Sequence, residues 1–387
     1  MIYCAAFSTL REEMRKNRQR KIDGKFNCLP LKFKRGRKKF PGFERFKYYL
    51  FSANQKVGKS KLVDDLFIYY PTECRKRGID LKTKVLYFAL EENENLKEKQ
   101  ASSRAVYDII NLRNSPRELF SINCVCPEWL LDKYDNDEDI NSILKDIENN
   151  VTYISDIRNP TGIYKEIKRW LLELGHYNYV KGKKPDAFGN WEEADVIDKS
   201  NPFTLNDPEL YPIVIIDNFA NLTPEQGFDT RQTIEKMSKY CIELASLGLL
   251  MVAVQHQAQN QESLENLKYS QIIPTVNGLG DAKTTARDAW TTIGLFSPYR
   301  FQLPEHLDYN ITKWKDNIRF LYIISDRDGS VGTVLPLVFR GDVSSFEELP
   351  LPQDTANLQK VLDELRYEEE YFNEIFQIDK TISEENY

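Results

Sequence analysis

Two groups of residues in this chain have types and spacing suited to handling a phosphoryl group. Phe51-Ser-Ala-Asn-Gln-Lys-Val-Gly-Lys-Ser60 fits the phosphate-loop pattern G-x-x-x-x-G-K-[ST] at Gly58, Lys59 and Ser60, with Ala53 where the first glycine stands. Such a loop turns backbone N–H groups at a helix N-terminus toward phosphates. Lys59 would reach the β- and γ-phosphates and the Ser60 hydroxyl would hold Mg²⁺. The expected nucleotide-binding residues are Ala53, Asn54, Gln55, Lys56, Val57, Gly58, Lys59, Ser60 and Lys61. The second group is Tyr211-Pro-Ile-Val-Ile-Ile-Asp217, an apolar run that ends in a carboxylate. Alone, such an Asp is as often a turn or helix cap. Beside a phosphate loop it can position hydrated Mg²⁺, so Ser60 and Asp217 are the expected metal ligands.

A bare Gly-Lys-Ser tripeptide also occurs in surface turns, so its neighbours decide its meaning. Tyr48-Tyr-Leu-Phe51 reads as a strand, and Lys61 to Tyr70 as a helix with Leu62, Leu66 and Tyr69 on one face. Further strands are expected at Val85–Leu90, Val151–Ile154, Ile213–Ile216, Leu249–Val254, Thr291–Phe296, Phe320–Ser325 and Thr333–Phe339. Helices are expected at Glu94–Ile110, Gly162–Leu174 and Thr230–Leu247. Near-continuously apolar strands alternating with helices predict an α/β fold, a mostly parallel central sheet with helices on both faces. The polar stretch His176–Tyr211, rich in Asn, Asp, Gly and Pro, reads as an inserted surface loop or hairpin.

The 387 residues include 41% hydrophobic and 12% aromatic side chains, which excludes a wholly disordered or fibrous chain. The longest apolar run, near Leu249–Val254, is too short to cross a bilayer, and no signal-like core opens the chain. Six cysteines in this length do not make a disulfide framework, and Cys124-Val-Cys126 has no second pair to build a zinc site. A cytoplasmic protein with reduced thiols and no membrane partner is expected. The net charge of −6 conceals an asymmetry: residues 1–48 carry 15 Lys/Arg against 4 Asp/Glu, while residues 362–387 carry 9 acids and 2 bases. The ends are either simply solvated or point to a polyanion partner for the basic arm. The expected organisation is a basic arm and linker over 1–45, an ATPase domain over 46–350 and an acidic tail over 351–387.

The order of these motifs resembles the ATPase domain of DnaB-type replicative helicases, ring helicases of superfamily four with a RecA-like fold, from about Phe40 to Leu349. Phe88-Ala-Leu-Glu-Glu92 resembles the family's segment whose Glu polarises the attacking water, which implies that role for Glu91. Met251-Val-Ala-Val-Gln-His256 resembles the strand ending in a γ-phosphate sensor, here His256 with Gln255 and Gln257 as the alternatives. Gly280-Asp-Ala-Lys-Thr-Thr-Ala-Arg-Asp288 resembles the end of the DNA-binding loop, with Gly280 at the family's Arg position and Lys268 and Lys283 as the nearest substitutes. Ile323-Ile-Ser-Asp-Arg-Asp-Gly329 resembles the K-x-R-x-G hairpin that enters the neighbouring subunit's ATP site; Arg327 matches, but Ser325 replaces the Lys.

The resemblance implies catalytic roles for Lys59, Glu91, His256 and Arg327, ATP and Mg²⁺ as substrate and cofactor, and a ring, usually a hexamer. It implies translocation 5′ to 3′ on single-stranded DNA in replication, with primase or other replisome proteins as further partners. A short basic arm in place of the family's large N-terminal domain makes the chain look phage-encoded, and its location would then be the host cytoplasm. Two other readings stay open: a RecA-like DNA-dependent ATPase without unwinding, such as a recombinase or helicase loader, and a nucleotide-binding scaffold in nucleic-acid packaging.

Overall fold

The structure, a computed structural model, describes residues 3–185, 191–257 and 272–376. Its centre is a nine-stranded sheet of β1 (Tyr48–Ala53), β2 (Thr83–Ala89), β3 (Val151–Ile154), β4 (Tyr211–Asp217), β5 (Leu250–His256), β6 (Thr291–Phe296), β7 (Ile318–Asp326), β8 (Val334–Arg340) and β9 (Ser345–Glu348). The order across the sheet is β9-β8-β7-β6-β1-β5-β4-β2-β3. From β6 to β3 every neighbouring pair is parallel; β7, β8 and β9 close the other side antiparallel. The expected mostly parallel α/β sheet is therefore present.

The apolar runs are continuous because the sheet is covered on both faces, and successive side chains divide between them. On β1, Tyr49 and Phe51 enter one core cluster while Tyr48 and Leu50 enter the other. On β4, Ile213 and Ile215 part in the same way from Val214 and Ile216. The helices Glu94–Ile110 and Glu138–Asn150 cover the first face through Ala101, Ala105, Ile140, Ile143 and Ile147. Pro160–Leu174 and Thr230–Ala245 cover the second through Ile163, Ile167, Met237 and Cys241. Each fully buried aliphatic side chain of this kind contributes roughly 1.5–3 kcal/mol. An Asp229–Gln232 capping box starts the helix Thr230–Ala245, and Asn93 caps Glu94–Ile110 by accepting from the Leu96 N–H.

Three regions differ from the sequence reading, and the insertion agrees with it. Within the expected arm and linker, residues 28–43 are built into the core: Leu29, Leu31, Phe33, Phe40 and Phe43 are buried, and Phe43 packs edge-on to Tyr49. Only the helix Tyr3–Ile22 lies outside. Three helices at Pro116–Leu119, Glu128–Asn136 and Glu138–Asn150 fill a stretch not read as structured. The insertion is a surface hairpin, one of the two expected forms: Tyr179–Pro185 pairs with Trp191–Ile197, on a short base of Gly175–Tyr177 with Phe203–Leu205. Much of the acidic tail is the helix Thr355–Phe376, anchored by buried Leu365 and Phe376 and by Glu368, which accepts from Arg340 Nε at 2.8 Å. Among the described residues no helix is long and apolar enough to cross a membrane.

Candidate nucleotide site

The phosphate loop lies at the C-terminal edge of the parallel strands, between β1 and a helical run that starts at Lys59. That run is α-helical over Lys59–Asp64, widens to a π turn over Asp65–Tyr69 and resumes over Tyr70–Lys76. Pro71, which has no N–H to donate, follows the wide turn. Gly58 has φ +105°, where a side chain is strained, and a Cβ there would come 2.9 Å from the Phe339 ring. Ala53 ends β1 in extended backbone, which explains why the missing glycine is tolerated at this position. The loop opens into a cleft of about 480 Å³ whose walls include Gln55, Lys59, Ser60, Glu91, His256 and Arg319.

Lys59 is buried, and its Nζ donates to the Asn54 carbonyl at 3.1 Å and lies 2.9 Å from His256 Nδ1. Burial lowers its pKa to about 8, against the opposing pull of Asp217 and Glu91. Asp217 ends β4 and is also buried. Its Oδ2 accepts from the Tyr87 hydroxyl at 2.8 Å, while its Oδ1 has no hydrogen-bond partner among the described residues. A buried carboxylate oxygen left in that state is costly, and a hydrated cation would satisfy it. The Ser60 hydroxyl, on the cleft wall, is a second hard oxygen donor, and the chemistry of the two groups fits Mg²⁺. No group of three or more His, Cys, Asp or Glu able to hold a metal by itself occurs among the described residues, so a cation here would rest on Asp217, the Ser60 hydroxyl and ligands from outside the chain.

The peptide bond after Asp217 is cis, and the Asp217 carbonyl accepts from the Leu90 and Glu91 N–H groups at 2.7 and 3.2 Å. These bonds tie the loop after β2 to the end of β4 and set Glu91 at the cleft. Asn218 then joins the two candidate catalytic side chains. Its Oδ1 accepts from the Ala220 N–H at 2.8 Å, which fixes the amide's orientation. Its Nδ2 faces Glu91 Oε2 at 2.5 Å and His256 Nε2 at 2.9 Å. The Glu91 carboxyl is held below the usual range, chiefly by His256, whose Nε2 lies 3.7 Å from Oε2; its charge, Lys59 and the Asn218 amide add to this against partial burial. Gln255 and Gln257 point elsewhere: Gln255 accepts from the Thr285 hydroxyl at 2.7 Å, and Gln257 donates to the Ser52 hydroxyl at 2.6 Å.

Behind Asp217 sits a buried ion cluster that the sequence did not announce. Lys97 Nζ lies 2.9 Å from Asp64 Oδ2, 3.3 Å from Glu92 Oε2 and 3.9 Å from Asp217 Oδ2, and it donates to the Tyr87 hydroxyl at 3.0 Å. Burial disfavours the Lys97 charge, but Asp64, Asp217 and Glu92 outweigh it and raise its pKa. Arg319, also buried, donates from Nε to the Val57 carbonyl at 2.8 Å and lies over the Phe339 ring at 4.4 Å. That pair braces the phosphate loop from below. The signal for Arg319 was present in the sequence, a charge inside the apolar run Ile318–Ile323. Asn218 is marked only by following the strand-end Asp.

Arg327 is not in this chain's own cleft. Asp326 pairs with Thr291 at the start of β6, so Arg327 lies at the edge of the sheet opposite the phosphate loop. Its Nη2 donates to the Arg287 carbonyl at 2.9 Å, and its guanidinium lies 5.3 Å from the Trp290 ring centroid. Ser325, at the family's Lys position, pairs with Thr292 in the same ladder. Lys283 is exposed at the start of the helix Thr284–Asp288. Lys268 lies outside the described residues.

No protein-family model matches the sequence, and no curated protein is detectably similar to it. Solved structures are similar. A DnaB-like replicative helicase, described with its interactions with primase, superposes with a TM-score of 0.60 at 16% identity, over 89% of this chain and 66% of that one. A second solved structure, of an ATPase domain, superposes with a TM-score of 0.60 at 16% identity, over 89% of this chain and 98% of that domain. This chain thus spans slightly less than two thirds of the first structure and nearly all of the second. The likeness establishes the RecA-like phosphate-loop fold of DnaB-type helicase ATPase domains.

Proposed function

We propose that this chain, which has the fold of DnaB-type ATPase domains, is an Mg²⁺-dependent ATP hydrolase that drives a ring helicase along single-stranded DNA. The observation that carries the reading is the meeting of Lys59, Glu91 and His256, joined by Asn218, in one cleft beside the half-satisfied carboxylate of Asp217. A site that only bound nucleotide would have no use for an ionised carboxylate held ready at its mouth.

The roles follow from the groups' chemistry. The phosphate-loop N–H groups and Lys59 hold the β- and γ-phosphates. When bound on Ser60 and Asp217, Mg²⁺ would neutralise phosphate charge. Glu91 orients the attacking water as a base, kept ionised chiefly by His256 and aimed by Asn218. His256, at the end of β5, responds to the γ-phosphate and relays its presence through Asn218. Arg327, remote from its own cleft, would act in a neighbouring protomer's site of a ring, a hexamer by the resemblance. Lys268 and Lys283 are the proposed DNA contacts of the channel loop. Primase remains a candidate partner, as the similar helicase was described with it.

The test is ATP-dependent strand displacement on a forked DNA by the intact chain, with Glu91→Gln as the inactive control. Displacement by the wild type alone supports the reading. Robust DNA-stimulated hydrolysis with no displacement moves the assignment to a RecA-like ATPase without unwinding. Ser325 in place of the hairpin's second cation is the specific feature that favours that alternative.

A further inference from the structure

The helix Tyr3–Ile22 stands outside the core, and among its described residues Asn17 and Arg20 make polar contacts to the rest of the chain. Arg20 holds it: Nε donates to Asn27 Oδ1 at 2.9 Å, Nη2 donates to the Phe26 carbonyl at 2.6 Å, and Nη1 pairs with Glu209. The Asn27 amide returns a bond to the Asn17 carbonyl at 2.9 Å. The face turned to the body carries Glu13, Lys16, Asn17 and Arg20, which line a crevice against Arg45, Phe46 and Tyr211.

The opposite face is a stripe of arginines. Arg11, Arg15 and Arg18 fall within about 60° of one another at the helical spacing. All three are exposed, and none has an ion-pair or hydrogen-bond partner among the described residues. Glu12 and Glu13, the acids nearest to them in the helix, fall outside the stripe. Leu10 and Met14, one turn apart and exposed, lie beside the stripe, so a subunit contact through them is the competing use of this helix. The stripe itself offers fixed positive charge over about 10 Å, the axial length in which one strand of a duplex carries about three phosphates.

We propose that Arg11, Arg15 and Arg18 form a DNA-phosphate contact surface separate from the ATPase cleft and from the Lys268/Lys283 loop. The surface rests on the helicase reading only in taking DNA as the polyanion. It lies at the far edge of the sheet: the helix is anchored to Glu209 and Phe26 beside the start of β4, whereas the phosphate loop follows the end of β1. DNA held there would thus be gripped away from the hydrolytic site, and basal turnover would not sense the arginines.

The experiment compares the intact wild type with the triple variant Arg11→Gln/Arg15→Gln/Arg18→Gln and with the triple Arg→Lys variant. Glutamine keeps helix propensity and removes charge, and lysine keeps the charge. Fluorescence anisotropy with labelled single-stranded and duplex oligonucleotides is read across a salt series, alongside DNA-free ATP turnover and particle mass. For the glutamine variant the slope of log K against log salt falls by about 2 on single strands or 3 on duplex, from three lost phosphate contacts. Basal turnover and particle mass stay unchanged, and the lysine variant keeps the wild-type slope. The oligonucleotide with the larger change identifies the form of DNA gripped. An unchanged slope in the glutamine variant, while DNA still stimulates wild-type turnover, overturns this proposal and leaves the motor reading standing. A glutamine variant that changes particle mass overturns it in favour of a subunit contact. A wild type that binds neither oligonucleotide overturns both.

Discussion

The Nζ of Lys59 lies 2.9 Å from Nδ1 of His256, while Nε2 of the same ring faces the Asn218 amide at 2.9 Å. Because Asn218 Oδ1 is engaged by the Ala220 N–H, both ring nitrogens meet nitrogen donors. A neutral imidazole accepts at only one of them. The ring can therefore accept from Lys59 at Nδ1 or from the Asn218 amide at Nε2, but not from both at once. Burial also lowers the Lys59 pKa to about 8, which weakens its hold on the proton. The lysine proposed to bind phosphate is thus held in a contact that a bound phosphate would have to break.

Nucleotide binding should therefore take up a proton above about pH 8. The free protein loses the Lys59 charge as pH rises through that value, whereas bound phosphate favours the ammonium, so affinity is full below it and declines above it. Calorimetry of ADP binding at pH 8.5 in buffers of different ionisation enthalpy should reveal the uptake. His256→Ala, which removes the competing nitrogen, should reduce it. An ADP affinity flat from pH 7 to 9.5 would rule the coupling out.

Asn218 is expected to govern turnover more than binding. Asn218→Ala removes the amide between Glu91 and His256 but no phosphate contact. The kcat should fall by about 10²-fold, the lower end of what a positioned acid–base group supplies, with KM within about 3-fold of wild type. A raised KM at unchanged kcat would show that Asn218 acts in binding instead.

Lys97 should be a stability residue whose loss also disturbs the cleft. Lys97→Met leaves Asp64 and Asp217 buried without their cation. Breaking a buried pair from one side costs about 3–5 kcal/mol. Urea unfolding should show a loss of that size for Lys97→Met, and the double variant Lys97→Met/Asp64→Leu should recover part of it. A loss below about 1 kcal/mol, the range of exposed pairs, would mean the cluster is solvated.

Gly58 and Phe339 should behave as a coupled pair. Gly58→Ala places a methyl 2.9 Å from the Phe339 ring at φ +105°, a strained position that costs about 1–3 kcal/mol. Nucleotide affinity should fall by about tenfold as the loop shifts, and Phe339→Leu in the same chain should restore only the steric part. Equal affinities for wild type and Gly58→Ala would show that the loop yields freely.

The sheet was legible because its strands are buried on both faces and so read as apolar runs, Ile213–Ile216 most plainly. Residues 28–43 were not: their lysines, arginines, prolines and glycines read as a linker, and the alternating Leu29, Leu31 and Phe33 disclose a packed segment only when the core is seen. Ile140, Ile143 and Ile147 did stand at helical spacing, hidden among acids and asparagines. In the site, Lys59 and Asp217 were readable from local motifs. The Tyr87–Asp217 and Lys97–Asp64 contacts join residues 130 and 33 positions apart, and Asn218 acquires its role only when β2, β4 and β5 are brought side by side.

The central claim is that the cleft hydrolyses ATP in the service of DNA. Steady-state ATP turnover of the wild type and Lys59→Ala, each with and without single-stranded DNA, tests it most directly. The account predicts wild-type turnover that DNA stimulates and that Lys59→Ala abolishes in both conditions. Equal turnover in the two proteins, or none in either while both still bind DNA, would contradict it.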